Sequence, residues 1–480
     1  MKTAYPVSDV RRMEEAAIAA DPTRDLMQIA ARALSSVLVA ELTERRGKVY
    51  GSRVVILVGA GNNGGDALYA GAQLARRGAW VAAVPVLGTP HPGGVTAFRA
   101  AGGRVVDLDQ AAALDLSEVD LAVDGIIGIG GRPGLPDAVA ELASRLTRAA
   151  VPIVAVDLPS GVDADTGAVP GAAIRAACTV SFGAAKVCEM LEPAKSHCGR
   201  VVSVDLGFRP DSNVTEIAGL DDDDLAYGWP YPDARSSKYV RGVVGIDAGS
   251  PTYPGAAVLA THGAVHAGAG MVRFLGAAEP GRMILAALPN VVRDPGRVQA
   301  WLFGPGWGER RDGAELIAKT LAEGLPTVVD ADGLRRLPTG GLSPTWLLTP
   351  HAGELARLLG IDRADVEADP IDAARRCADR TGATVLLKGA TQVVAQPGRR
   401  SVMVALQGPA WTAQAGSGDV LSGICATLLA ARVPAPLAGA LAASLQAATA
   451  AACPGPLPPQ ELARQLANTL GRLERRRSRS

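Results

Sequence analysis

A chain of 480 residues exceeds what one ordinary hydrophobic core serves and suits two domains of about 200 to 250 residues each. Its 48 Lys and Arg balance 48 Asp and Glu, which argues against a global field for nucleic acid or anionic membrane, and 48% apolar with 20% charged residues suits a soluble globular protein. No run of about 18 uninterrupted apolar residues or signal-peptide core stands out, and the six cysteines, Cys178, Cys188 and Cys198 among them, form no C-x-x-C pair or common zinc spacing. The expectation is a cytoplasmic protein with reduced thiols, partnered by small molecules and by neither nucleic acid nor membrane.

Residues 10–42 have amphipathic helical spacing, broken at Asp21-Pro22. The β-branched run Arg53–Val58 then predicts a buried strand, bounded at once by Gly59-Ala60-Gly61-Asn62-Asn63-Gly64-Gly65-Asp66, with helical spacing over 67–77. A strand, a glycine-rich turn and a helix in this order open a nucleotide-binding βαβ unit. Further strands are predicted at 80–86, 119–123, 151–156, 178–182 and 201–204, several alternating with helices. Such crossovers imply a three-layer, doubly wound parallel sheet with its ligand crevice at the strand carboxyl ends.

Polar residues gather at those ends. Asn62, Asn63 and Asp66 follow the first strand. Asp124 ends another, just before Gly128-Ile129-Gly130-Gly131-Arg132-Pro133-Gly134, and Asp157-Leu158-Pro159-Ser160-Gly161 follows a third. Glycines let backbone N–H groups approach a phosphate, and amide, carboxylate and hydroxyl oxygens can enclose a hard cation. Asp157 alone also reads as a helix cap or turn residue, and Lys186, after another strand, either assists it or is a plain surface lysine.

In order and spacing, these three motifs resemble the NAD(P)HX epimerase family over roughly residues 10–210. The resemblance implies a Rossmann-like fold that interconverts the R and S forms of hydrated NADH and NADPH. It implies that Asn62, Asn63, Gly64, Gly65 and Asp66, with the 128–134 loop, hold the nucleotide phosphates. It implies a potassium ion at Asn63, Asp124 and Ser160, and contact of Asp157 with the hydrated nicotinamide. Epimerising a hydroxyl-bearing ring carbon needs an acid–base group beside it, and Asp157 is the catalytic candidate. Two positions depart from the family pattern: Ala67 stands where a glycine is usual, and Glu14 or Glu15 where an early aspartate is usual.

Residues 208–237, with the run Asp221 to Asp224 and Trp229-Pro230-Tyr231-Pro232-Asp233, are polar, Pro-rich and aperiodic. They predict domains at 1–215 and 237–480, joined by a linker at 216–236. Beyond them, strands are predicted at 243–247, 272–275, 300–303, 327–329, 346–348, 384–387 and 392–395. Helices are predicted at 256–267, 314–322, 352–359, 371–380 and 420–431.

Polar loops again follow the strands: Gly304-Pro305-Gly306-Trp307-Gly308, Asp330-Ala331-Asp332-Gly333, Thr349-Pro350-His351-Ala352-Gly353-Glu354 and Lys388-Gly389-Ala390-Thr391. Gly416-Ser417-Gly418-Asp419 leads into an apolar helix. Glycines there can hold an anion against free backbone N–H groups while a carboxylate accepts a hydroxyl proton, the requirements of phosphoryl transfer. Taken alone, the motif reads equally as a helix cap.

The set is similar to the ribokinase-like fold, and more closely to the ADP-dependent NAD(P)HX dehydratase family, over roughly residues 235–475. That resemblance implies substrate contacts at Ala257, Gly306, His351 and Asp419, the last catalytic. It implies adenine-nucleotide contacts at Lys388, Gly389, Ala390, Thr391, Gln392 and Gly418, and magnesium organised indirectly by Glu354. The implied reaction is phosphorylation of the ring hydroxyl by ADP, then loss of phosphate, giving NAD(P)H and AMP. Gly408-Pro409-Ala410-Trp411 replaces the family's usual Asn-Pro-Gly stretch, and Trp411 either stacks on a nucleotide or packs. The fold expected is thus α/β, two three-layer αβα domains, Rossmann-like then ribokinase-like. The competing reading is a ribokinase-like small-molecule kinase with a non-catalytic nucleotide-binding first domain. A homo-oligomer is expected, with the Ala-rich stretch 435–452 as a subunit contact.

Overall fold

The run Arg53–Val58 is buried on both faces, as a strand inside a parallel sheet must be. Val54, Ile56 and Val58 face one layer of helices and Val55 and Leu57 the other. In this computed structural model, which describes residues 1–453 and 455–478, the chain divides into two units, the first from Ala4 to Thr215 and the second made of Met1–Thr3 and the chain from Glu216.

The first unit has seven parallel strands in the spatial order Arg104–Val105, Trp80–Pro85, Arg53–Val58, Leu121–Gly125, Ile153–Val156, Cys178–Phe182 and Arg200–Val204. The order reverses at Arg53–Val58, whose neighbours are Trp80–Pro85 on one side and Leu121–Gly125 on the other. A crevice opens at the carboxyl ends of strands at such a reversal. Helix Leu26–Arg46 is long and apolar enough to cross a membrane by composition, yet Leu34, Leu38 and Leu42 lie fully buried in the core of this unit. The short strand Lys2–Tyr5 pairs with Ala185–Lys186, setting Tyr5 opposite Lys186.

In the second unit six parallel strands run in the order Met271–Phe274, Val243–Asp247, Ala300–Phe303, Thr327–Val329, Leu347–Leu348 and Thr384–Leu387. Val393–Ala395 and Val402–Val404 extend the sheet antiparallel. Helices Pro254–His266 and Ser417–Ala430 cross so closely that a Cβ on Gly423 would stand 2.0 Å from the Ala260 carbonyl oxygen. That approach, open only to small residues, fixes where Gly416 to Asp419 begin their helix.

Two expectations are corrected here. Residues 216–236 are not a linker: Ile217–Gly219 pairs in parallel with Val402–Val404, and Leu225, Ala226 and Trp229 are buried in the core of the second unit. A three-residue strand carries no readable periodicity. The aspartate run caps helix Asp222–Gly228, with Asp221 accepting from the Asp223 and Asp224 amides at 3.0 and 2.9 Å. Helix Ala435–Ala451 is interior, its residues from Ala438 to Ala447 all buried, so it offers no broad apolar face to a second subunit.

Candidate active sites

In the first unit the glycine-rich turn is tighter than its sequence suggests. The helix starts at Asn62, not near 67, and runs to Arg76 with Gly61 as a cap that supplies no side-chain acceptor. The amides of Asn62, Asn63 and Gly64 therefore lack intrahelical partners, an arrangement able to receive an anion. Glycine is required for the close approach: a Cβ on Gly59 would lie 1.8 Å from the Ile126 oxygen, and one on Gly64 2.3 Å from the Gly59 oxygen. Ala67, the departure from the family pattern, is fully buried and fits because its neighbour Gly125 has no side chain.

The 128–134 loop folds over the same edge. The Gly134 amide donates to the Gly161 carbonyl at 2.8 Å, and Gly128 lies beside the Asn63 side chain. Asn63 Nδ2 donates to the Val156 carbonyl at 2.9 Å, pinning the first helical turn to the strand that ends before Asp157. The structure thus brings Asn63, Gly128 and the Asp157 strand end together. Arg132 is exposed at the loop tip.

Asp124 is fully buried. It accepts from the Ser160 amide at 2.7 Å, the Ser160 hydroxyl at 2.6 Å and the Ile126 amide at 3.2 Å. Burial outweighs these bonds and raises its carboxyl to about 6. No ion pair to Asp124 occurs among the described residues.

Asp157 sits in the left-handed region, φ 69°, which turns its side chain out of the strand end. Lys186 is no surface lysine. Only 1% exposed, it donates to Asp157 Oδ1, to Ser181 Oγ at 3.1 Å and to the Phe182 carbonyl at 3.1 Å. Burial opposes its charge, but the Asp157 and Glu189 carboxylates more than compensate and hold its pKa above the usual lysine value. The cue to this role was its place after strand Cys178–Phe182, which alone does not separate a buried partner from a surface residue.

Asp66, on the same helix, is buried near other carboxylates. It is 8% exposed, its Oδ1 has no hydrogen-bond partner, and burial followed by the charges of Asp157 and Glu14 raises its carboxyl to about 8. Of the two candidates near the start of the chain, Glu14 is the one beside Asp157. Its carboxyl is raised by burial and by that neighbour, whereas Glu15 is exposed.

In the second unit five loops meet at one sheet edge. The Gly249 amide donates to the Pro305 carbonyl at 2.7 Å, and the Lys388 amide to the Pro350 carbonyl at 2.8 Å beside a bridge between His351 and Lys388. Gly306, at φ 64°, packs under Tyr253. Gly416 caps helix Ser417–Ala430 at φ 91°, a conformation that suits glycine, and adds no side-chain acceptor, leaving the first amides free. Lys388 Nζ, 3.2 Å from a Cβ placed on Gly418, donates to Asp330 Oδ1 at 2.6 Å. Asp419 lies in the first turn, its carboxyl raised to about 7 by burial and by Asp330, with Lys388 opposing.

Asp330, only 1% exposed, is a site residue that the motif search did not assign; its place at a strand end was the available signal. The Lys388–Gln392 loop includes the buried Gln392 Oε1, which has no partner. His351 Nδ1 caps its own helix, accepting from the Gly353 amide at 3.0 Å, and Glu354 returns a bond to the His351 amide at 2.9 Å. Trp411 is 58% exposed. Ala257 is the exception to the expected contacts: it is fully buried behind Gly249, because it occupies the inward face of its helix, and presents no surface to a ligand.

Residues 244–470 match the family described as NAD(P)H-hydrate dehydratase, and residues 23–188 that described as YjeF-related protein N-terminus. The bifunctional NAD(P)H-hydrate repair enzyme Nnr of Mycobacterium tuberculosis is 46% identical over 453 residues, 92% of each chain. Its counterpart in Corynebacterium glutamicum is 33% identical, covering 90% of this chain and 87% of its own. Among solved structures, the ADP/ATP-dependent NAD(P)H-hydrate dehydratase from Bacillus subtilis, co-crystallized with ATP/Mg2+, superposes with a TM-score of 0.50 at 24% identity. It covers 55% of this chain and all of its own, a likeness of fold.

Proposed function

This chain belongs to the bifunctional NAD(P)H-hydrate repair enzymes, and we infer that its first unit interconverts the R and S hydrates of NADH and NADPH while its second dehydrates the S hydrate with ADP. The observation that carries this reading is a sheltered carboxylate beside an uncapped helix start in each unit, the buried Asp157 by Asn62 to Gly64 and the half-buried Asp419 by Gly416 to Gly418. Both elements recur in order along a chain related to such enzymes over its length.

In the second unit the free amides at the start of Ser417–Ala430 hold the transferring phosphoryl group, and Lys388 offsets its charge. Asp419 accepts the proton of the ring hydroxyl as that oxygen attacks phosphorus. Its raised carboxyl places the change of protonation near neutral pH. Elimination of the phosphate then restores the reduced ring, leaving AMP and phosphate. No three of His, Cys, Asp and Glu converge as a metal cage among the described residues. Carboxylates near Lys388, namely Asp330, Glu354 and Asp419, outnumber it, a surplus that suits a magnesium ion held mainly by nucleotide phosphates. Glu354, already bonded to the His351 amide, would act through water. Magnesium supplies neutralisation of phosphate charge.

In the first unit the amides of Asn62 to Gly64 and the 128–134 loop hold phosphate. Asp124, buried without a protein cation, suits a potassium ion shared with Ser160 and Asn63, which would supply the missing positive charge. Lys186, paired with Asp157, orients that carboxylate toward the ring. The test is a product balance on pure S-NADHX with ADP: one AMP and one phosphate released per NADH formed. A stable phosphorylated product from ATP, with no NADH, would instead indicate a small-molecule kinase.

A further inference from the structure

We propose that Asp66 is a catalytic residue of the first unit, the proton donor that works with Asp157, and not a phosphate ligand. The proposal rests on the epimerase reading of this unit. Asp66 stands one helical turn beyond Asn63, whose bond to the Val156 carbonyl holds that face of helix Asn62–Arg76 against the strand end carrying Asp157. The side chain is buried with one carboxyl oxygen unpartnered, an arrangement costly for a structural residue and suited to one awaiting a ligand. The nearby charges are mainly negative: Glu14 from helix Val7–Ala20, Asp25 from the cap of Leu26–Arg46, and Asp157. Lys186 is bonded to Asp157, Arg11 lies by Glu14, and the His91 ring beside Gly65 engages the Gly94 amide, so none of these pairs with Asp66. Such surroundings repel a phosphate and favour a neutral carboxylic acid. Burial and these charges accordingly raise Asp66 to about 8. Two carboxyls with environments this different, one ion-paired and one buried among anions, divide the roles of base and acid.

The chemistry balances without an oxidant or co-reactant. As the ring hydroxyl takes a proton from Asp66, its C–O bond breaks and water leaves, while the lone pair of the adjacent ring nitrogen forms an iminium cation. Water returns to the other face of the same carbon, restoring the lone pair to nitrogen, and gives a proton to Asp157. Exchange with solvent returns the proton to Asp66, so the net change is inversion alone.

The test follows S-NADHX appearing from pure R-NADHX, resolved by chromatography without ADP, in the full chain. Asp66→Asn is expected to lower kcat about 100-fold or more, with a small change in KM. ADP-dependent conversion of S-NADHX, which uses the other unit, stays unchanged. Wild-type epimerisation should fall as pH rises through about 8, where Asp66 loses its proton, and S-NADHX dehydration should lack that fall. A mutant effect confined to KM, or a wild-type rate that does not fall above pH 8, overturns the assignment. Wild type that dehydrates S-NADHX but never converts the R form overturns the epimerase reading as well, an outcome distinct from an active enzyme indifferent to Asp66.

Discussion

Lys186→Met is the substitution whose cost can be worked most directly from the structure. The Lys186 ammonium is buried and makes three bonds, to Asp157, Ser181 and the Phe182 carbonyl. Methionine matches its length but leaves Asp157 Oδ1 with only the long 3.4 Å contact to the Phe182 amide. Removing one partner of a buried pair strands the other charge and costs about 3–5 kcal/mol. Both partners are sheltered, with side-chain exposures of 1% and 13%, so solvent screening removes little of that. Hydrogen exchange of peptides covering Ile153–Val156 and Cys178–Phe182 reads the effect within the first unit. A loss of 3 kcal/mol speeds exchange through global unfolding about 150-fold. Asp157→Asn added to Lys186→Met should recover more than about 1 kcal/mol relative to additivity, because the Asp157 charge is no longer stranded. A single mutant within about 0.5 kcal/mol of wild type, or strictly additive costs, would refute the view that this pair is held together by charge.

Three further outcomes are expected. The dehydratase rate should rise as pH increases through about 7, because Asp419 must be ionised to accept a proton and its carboxyl is raised to about 7; a pH–rate profile on S-NADHX checks this. Lys388→Gln removes the charge that lowers the Asp419 pKa, so the same limb should move to higher pH while the KM for ADP increases. Gly423→Ala forces a Cβ to within 2.0 Å of the Ala260 oxygen and should cost about 1–3 kcal/mol, seen as an earlier thermal transition of the second unit.

Where a stretch was long and its pattern strong, the sequence was a reliable guide. Arg53–Val58, Val243–Asp247, Ala300–Phe303 and Thr384–Leu387 form the strands that their β-branched and apolar runs predict. The strand-end motifs do assemble at sheet edges, because every parallel crossover returns its loop to the same side. What escaped was short or set by tertiary contact. Ile217–Gly219 and Val402–Val404 have three residues each and gain definition only from strand pairing, with one another and, for the latter, with Val393–Ala395. The helix start at Asn62 depends on Gly59 and Gly64 clearing neighbouring backbone, which spacing does not encode. Lys186 and Asp66 acquire their character from burial and from charges distant in sequence, which the motifs around them do not encode. Ala257 turned inward for a related reason: the phase of helix Pro254–His266 sets its methyl against Gly249.

The central claim is that one chain both epimerises and dehydrates the nicotinamide hydrates through separate carboxylates. Recovery of the reduced-nicotinamide absorbance band, with ADP, magnesium and potassium, tests it on pure S-NADHX and pure R-NADHX in parallel. Wild type should restore the band from both forms, Asp419→Ala from neither, and Asp157→Ala from the S form, with the R form converting only at its uncatalysed rate. Absence of recovery from S-NADHX with either ADP or ATP, or equal recovery from R-NADHX in wild type and Asp157→Ala, would contradict it.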